Sequence, residues 1–211
     1  MSQNMQLFFE IMGTIAFAIS GAMVGANKRM DILGMVILGL TTAVGGGVIR
    51  DLVLGITPPA TFQNPIYAII AIITAIIVFL PVVQNIFKEN PIYYERVMLI
   101  MDSIGLGVFT VVGINAAHSV GYGENIFLLF FVGVVTGVGG GVMRDVMAGD
   151  KPYIFYKHFY ATASIIGAAC CIVAWNIVGQ GTAMLLGTVV VVILRFFAAK
   201  FRWSLPKVKE D

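Results

Sequence analysis

Long apolar runs, separated by short polar or proline-containing segments, make up most of this chain. Seven of the runs have about the twenty residues that an α-helix needs to cross a bilayer, and none alternates apolar and polar positions as a membrane strand does. We therefore predict an all-α integral membrane protein. Its approximate spans are Leu7–Ala26, Ile32–Ile49, Pro65–Val83, Glu95–Ala116, Asn125–Met147, His158–Val178 and a last span ending at Lys200.

Two of these spans end on the same motif. Gly45–Gly55 reads GGGVIRDLVLG and Gly139–Gly149 reads GGGVMRDVMAG, with seven of eleven positions identical. The similarity extends upstream, where the segment from Glu10 aligns with the segment from Asp102 at an offset of 92 residues. Three spans is an odd number, so the second copy must have the opposite orientation, which predicts an inverted repeat.

This duplication predicts how the chain is organised. We expect a first three-helix repeat at residues 1–87 and a second, inverted one at 88–178. A seventh helix at 179–201 and a basic tail at 202–211 follow. The N-terminus lacks the basic flank of a signal peptide, so we expect the first apolar run to remain as a span.

Composition and charge agree with a membrane protein. Hydrophobic residues make up 59% of the chain and charged residues 11%, against about 25% charged in soluble domains. With the N-terminus outside, twelve of the thirteen basic residues lie on the cytoplasmic side and only Arg50 lies outside, as the positive-inside rule requires. The basic tail with Trp203 favours contact with anionic lipid at the cytoplasmic face.

The sequence offers little for enzymatic chemistry. The glycines lie inside apolar spans and lack the lysine of a phosphate-binding loop or the preceding strand of a dinucleotide fold. We interpret Cys170 and Cys171 as packing residues, and we do not expect His118 or His158 to bind metal. We predict no catalytic residue, no cofactor, no nucleic-acid partner and no metal site beyond that of a transported cation.

The glycine triplets suggest a transport role. Runs of glycine allow a helix to bend or break, and carbonyls freed in this way can coordinate a cation where they line a water-filled path. Thr41, Thr42 and Thr136 lie one or two turns before the triplets Gly45–Gly47 and Gly139–Gly141 and could line the same path. The alternative is that the triplets only allow close helix packing.

Close packing is the role we expect for two further glycine pairs. Gly21 and Gly25, like Gly133 and Gly137, are separated by three residues, the spacing of small residues at helix contacts in bilayers.

Each triplet is followed by an adjacent cation and anion, Arg50-Asp51 and Arg144-Asp145. Charges at membrane depth are costly and usually functional. We hypothesise two ion pairs, Glu10–Arg50 and Asp102–Arg144, that keep the arginines from repelling cations at the two mouths of a path.

The doubled motif on spans two and five resembles the prokaryotic branch of the trimeric intracellular cation (TRIC) channel family, whose sequences have also been labelled glycine transporters. The resemblance covers roughly residues 5 to 200. It implies a homotrimer in the prokaryotic plasma membrane. Each protomer would conduct monovalent cations such as K⁺, with Na⁺ as a second candidate, through its own pore bordered by bent spans two and five. The residues that match are Gly45–Gly47, Arg50, Asp51, Gly139–Gly141, Arg144 and Asp145.

Two other functions remain open from the sequence. Inverted repeats with broken helices are also typical of secondary transporters, here for a small amino acid such as glycine. A membrane scaffold whose motifs only hold a trimer together is the third possibility.

Overall fold

The computed structural model describes residues 3–155 and 159–203, and within these ranges it consists of helices, turns and loops without a strand. The predicted all-α class is therefore confirmed. The α-helices of the described residues are α1 (Gln3–Asn27), α2 (Ile32–Val53), α3 (Ala60–Gln63), α4 (Ile66–Phe79), α5 (Pro81–Glu89), α6 (Pro91–Ser119), α7 (Ile126–Met147), α8 (Tyr160–Val178) and α9 (Gln180–Phe201). A 3-10 turn, Tyr153–Phe155, precedes α8.

Six of these helices are long and apolar enough to cross a membrane by themselves, and α4 with α5 makes a seventh span if the pair is counted as one. The third predicted span, Pro65–Val83, is not one continuous helix, because α4 ends at Phe79 and meets α5 at an angle of 62°. Pro81 causes the break: it has no N–H to donate and is favoured at the first position of a new helix. The predicted repeat boundary at residue 87 consequently falls inside α5.

α2 and α7 end in the same way. The last glycine of each motif has a positive φ, 75° at Gly55 and 72° at Gly149, in the left-handed region that glycine adopts without steric cost. The N–H of the next residue then returns to the helix: Ile56 donates to the Asp51 carbonyl and Asp150 to the Asp145 carbonyl, each at 2.8 Å. This Schellman arrangement explains why each motif ends in glycine.

The middle glycine of each triplet lies where α2 and α7 cross. A Cβ atom at Gly46 would overlap the carbonyl oxygen of Thr136, and one at Gly140 would overlap the carbonyl oxygen of Thr42. The two backbones touch at positions that correspond between the two motifs. These two glycines therefore serve close packing.

The triplets do not interrupt their helices. α2 and α7 run as continuous α-helix through Gly45–Gly47 and Gly139–Gly141, so the expectation of a break is wrong. In a continuous helix the backbone N–H and C=O groups remain paired, which apolar surroundings require. A bend without a break stays a prediction.

Glycines also mediate the contact between α1 and α6. A Cβ at Gly13 would lie 3.1 Å from the ring of Phe109, and a Cβ at Gly105 would overlap the ring of Phe17. The two rings pack against each other with centroids 5.3 Å apart. These four residues are two pairs of corresponding positions in the sequence repeat.

The spaced glycine pairs pack closely, as predicted. A Cβ at Gly21 would lie 2.6 Å from a carbonyl oxygen of α2, and a Cβ at Gly25 would lie 3.0 Å from the Met35 side chain. A Cβ at Gly133 or Gly137 would lie 3.1 or 2.9 Å from a carbonyl oxygen of α6.

The crossing of α2 and α7 predicts unequal effects of neighbouring glycine substitutions. Gly46→Ala and Gly140→Ala place a methyl group against backbone that cannot move aside, and each should lower the free energy of unfolding by about 1–3 kcal/mol. Gly47→Ala is the control, because its Cβ would meet nothing nearer than the Arg50 side chain at 3.8 Å. Alanine favours helix over glycine by about 1 kcal/mol, so Gly47→Ala should be neutral or stabilising. Thermal unfolding in detergent measures the difference, and equal midpoints for Gly46→Ala and Gly47→Ala would contradict the crossing.

Candidate functional site

Charged residues gather at two places along the helices. We call Asp102, Arg144, Asp145 and Arg195 the Asp102 cluster, and Glu10, Arg50 and Asp51 the Glu10 group. Ser20 of α1 contacts the Asp102 cluster and lies ten residues from Glu10 on the same helix, a distance of about 15 Å. The two sets of charges are thus separated along the helix axes.

Arg144 is the centre of the Asp102 cluster. Its side chain is fully buried, and Nη1 lies 2.7 Å from Asp102 Oδ1, so the predicted Asp102–Arg144 pair is confirmed. Nε donates to Asp145 Oδ1 at 2.8 Å, and Nη1 also donates to the Ser20 hydroxyl. The guanidinium carbon lies 4.8 Å from the centroid of the Tyr153 ring. A buried arginine is costly unless it is paired in this way.

Arg195 of α9 approaches the same carboxylate from the other side. Its Nη2 lies 3.7 Å from Asp102 Oδ2, and its guanidinium carbon lies 4.8 Å from the centroid of the Tyr160 ring. Tyr160 donates to Asp102 Oδ1 at 3.3 Å. Two carboxylates and two guanidinium groups give the cluster a formal charge of zero.

Sequence reasoning did not find Arg195 or Tyr160. Arg195 entered only as one of the basic residues near the C-terminus. The available signal was its position five residues inside the end of the last apolar run, where an isolated charge indicates a buried partner.

The Glu10 group has a different arrangement. Arg50 is bound by its neighbour Asp51, with Nε and Nη2 each 2.8 Å from Asp51 Oδ1. Glu10 instead accepts hydrogen bonds from the Tyr67 hydroxyl and from Gln6 Nε2. Among the ion pairs of residues 3–155 and 159–203, Glu10–Arg50 is not formed, so that predicted pair is wrong. Asp51 already satisfies Arg50, and Tyr67 of α4 takes the carboxylate of Glu10.

The motif aspartates have a second role that the sequence analysis did not include. Asp51 Oδ2 accepts the backbone N–H of Ala60 at 2.8 Å, and Asp145 Oδ2 accepts that of Tyr153 at 2.8 Å. Each aspartate therefore binds its arginine with one oxygen and the following segment with the other. This geometry fixes the loop after α2 and the loop after α7 to the helix ends.

The predicted threonines lie in two environments. Thr42 and Thr136 are buried, and their hydroxyls each donate to the carbonyl one turn earlier, Leu38 or Val132, at 2.6 Å. Thr41 instead lines a mainly apolar cavity of about 460 Å³ between α2, α3 and α4. Gly45 lines the same cavity.

The outer triplet glycines differ in what covers them. Gly139 faces the Gly46 backbone, while a Cβ at Gly141 would lie 2.7 Å from the Tyr160 hydroxyl. The part of these residues in an ion pathway stays a prediction.

A cavity of about 620 Å³ reaches the Asp102 cluster between α1, α6 and α9. Asp102 and Arg195 line its wall together with Glu95 and Arg96, and Asp150 lines it near its ion pair with Lys28 at 2.5 Å. Arg144 is not part of this wall. The cavity therefore leads to one carboxylate and one guanidinium group of the cluster.

Three further predictions concern the two cysteines, the two histidines and the basic tail. The Cys171 side chain is fully buried, as expected for a packing residue, and Cys170 is partly buried. The His118 ring stacks on Trp175 with centroids 4.1 Å apart. His158 and most of the basic tail, residues 204–211, lie outside the described residues.

Comparison with known proteins identifies the family of this chain. The family model described as Glycine transporter matches residues 7–82 and 99–176. The chain is 37% identical over 207 residues to the UPF0126 inner membrane protein YadS of Escherichia coli K12, and the alignment covers 97% of this chain and 96% of YadS. Its fold matches a TRIC cation channel with a TM-score of 0.84 and 36% identity, covering 100% of this chain and 99% of that one. The chain belongs to the prokaryotic TRIC family.

A second TRIC structure supports the assignment. The TRIC orthologue from Rhodobacter sphaeroides has a TM-score of 0.84 and 33% identity, covering 95% of this chain and all of the orthologue. With a named inner membrane relative and multiple apolar helices, this TRIC family member is a multi-pass inner membrane protein.

The two acidic positions predict different losses of stability. Asp102→Asn leaves two buried arginines with one carboxylate, and breaking a buried pair in this way typically costs about 3–5 kcal/mol. Glu10→Gln keeps an oxygen that can accept the Tyr67 hydroxyl, so it should cost about 1 kcal/mol or less. Thermal unfolding of both variants in detergent tests this, and similar shifts in the two would contradict the difference in burial.

Proposed function

We propose that this protein is a passive channel for monovalent cations, chiefly K⁺, with one pore in each protomer of a homotrimer. The solved relatives are TRIC cation channels, one of them named a trimeric intracellular cation channel orthologue. The observation that carries the proposal is the cavity of about 620 Å³ that reaches Asp102, the ion-pair partner of Arg144 on α7. An intramembrane carboxylate beside such a cavity is typical of an ion path.

The proposal includes inverted repeats, with the N-terminus outside and the divisions at residues 1–87, 88–178, 179–201 and 202–211. Two observations support it. The family model matches two segments whose starts lie 92 residues apart, the offset of the sequence repeat. Gly13 of the first half contacts Phe109 of the second half, and the corresponding glycine of the second half, Gly105, contacts Phe17 of the first. Such reciprocal contacts are what a two-fold axis between the halves requires.

We further propose that α2 and α7 border the pore. Thr41, Thr42, Gly45–Gly47, Thr136 and Gly139–Gly141 would lie along the path. The contact of Gly46 and Gly140 with the opposite backbone leaves no room for an ion at the crossing, so this conformation is closed there. Conduction requires α2 and α7 to separate at the triplets, where the absence of side chains lets carbonyl oxygens face a permeating cation.

The four motif charges fit a cation path only if the arginines are neutralised. Arg50 is neutralised by Asp51, and Arg144 by Asp102 and Asp145. Both motif arginines therefore have a carboxylate partner.

Charge neutrality at Arg50 generates a direct test. Asp51→Asn keeps an oxygen for the Ala60 N–H but leaves Arg50 uncompensated, and it should lower unitary K⁺ conductance by about threefold to tenfold. The double variant Arg50→Gln with Asp51→Asn removes both charges and should restore conductance. Single-channel recording in planar bilayers measures both. Conductance unchanged in Asp51→Asn, or no recovery in the double variant, would contradict this account.

Flux measurements test the function itself. Purified protein in proteoliposomes should pass K⁺ down its gradient, and planar bilayers should show unitary K⁺ currents. If correctly assembled protein gave neither K⁺ flux nor unitary current, the channel would be rejected and the scaffold would remain.

The alternative function is a secondary transporter of glycine or a similar small amino acid. The description of the matching family model as Glycine transporter favours it. Saturable glycine uptake that requires an ion gradient, without unitary currents, would establish the carrier instead of the channel.

A further inference from the structure

The Asp102 cluster contains one charge that the sequence repeat does not explain. Arg195 belongs to α9, the helix that follows the two proposed repeats, and α9 packs against α6. An added Cβ at Gly107 of α6 would lie 3.0 Å from the Thr188 carbonyl oxygen of α9. This close approach places Arg195 beside Asp102.

The two oxygens of Asp102 are in different situations. Oδ1 is bound by Arg144 Nη1 at 2.7 Å and by the Tyr160 hydroxyl at 3.3 Å. Oδ2 has no hydrogen-bond partner among the described residues, and Arg195 Nη2 lies 3.7 Å from it. That separation is within ion-pair range but beyond hydrogen-bond length, so Arg195 is held to Asp102 less tightly than Arg144 is.

Arg195 also lies on the side from which ions would arrive. Asp102 and Arg195 both line the cavity of about 620 Å³, while Arg144 does not. Asp102 and Arg195 are both buried, and Asp102 Oδ2 has almost no solvent-accessible surface, so a cation that enters through this cavity can reach Oδ2 only when the guanidinium of Arg195 moves aside. Glu10, the position that corresponds to Asp102, is held instead by Tyr67 and Gln6.

We propose that Arg195 is a positioning residue that competes with permeant cations for Asp102 Oδ2 and so limits cation entry at this end of the pathway. The proposal rests on the proposed channel function. The positive charge of Arg195 lowers the local concentration of cations in the cavity. It also neutralises Asp102 Oδ2, the carboxylate oxygen that Arg144 and Tyr160 do not bind. Entry, and not the conductance at saturating K⁺, is the step that Arg195 controls.

The test is unitary conductance as a function of K⁺ concentration, in the full-length protein with equal solutions on both sides. Arg195→Gln should raise conductance at low K⁺ by about threefold to tenfold and lower the half-saturating K⁺ concentration, with little change at saturation. Arg195→Lys keeps the charge and should resemble the wild type. Lys200→Gln is the matched control, because it removes the same charge from the same helix at an exposed residue outside the cavity wall.

A double variant separates a direct effect from a structural one. If Arg195 acts through Asp102, adding Arg195→Gln to Asp102→Asn should give no gain at low K⁺ over Asp102→Asn alone. The double variant also restores formal neutrality to the cluster, which counters loss of folding. A gain that persists without Asp102, an equal gain in Lys200→Gln, or unchanged conductance in Arg195→Gln would overturn the proposal. Absence of wild-type currents would instead reject the channel function.

Discussion

The burial of Arg144 is the constraint on which the rest of the structure depends. Its guanidinium is fully removed from solvent in an apolar helix, and an unpaired charge there would be untenable. Partners come from several helices: Ser20 on α1, Asp102 on α6 and Asp145 on α7 itself. Arg195 on α9 then balances the second carboxylate. One buried cation thereby fixes the relative positions of helices that are distant in sequence.

The same motif behaves differently in its two copies because its surroundings differ. Arg50 is partly exposed, with 11% of its side chain accessible, and one carboxylate binds it. Arg144 is fully buried beneath the ring of Tyr153 and pairs with two carboxylates. The duplicated sequence thus gives one mostly buried ion pair and one fully buried cluster. The asymmetry comes from the surroundings of each copy, which at Asp102 include Arg195 of the additional helix, and not from the motif.

Local patterns in the sequence predicted the parts of the fold that depend on local physics. Six spans followed from the lengths of the apolar runs, and the Asp102–Arg144 pair followed from a charge inside a span that had to have a partner. The bend before Pro81 could have been predicted, since proline inside an apolar run ends or kinks a helix. The partners of Glu10 could not have been predicted from the sequence. Tyr67 reaches Glu10 only because α4 packs beside α1, and that placement depends on tertiary contacts.

The crossing of α2 and α7 determines what kind of motion could open a path between them. Unwinding the triplets would free backbone groups in apolar surroundings, each at a cost of several kcal/mol. Separating two intact helices keeps their internal hydrogen bonds and breaks the van der Waals contacts at the crossing, where Gly46 and Gly140 contribute no side chain. The ends of both helices are meanwhile held by Asp51 to Ala60 and by Asp145 to Tyr153. The physical argument therefore favours displacement of unbroken helices about fixed ends over local melting at the glycines.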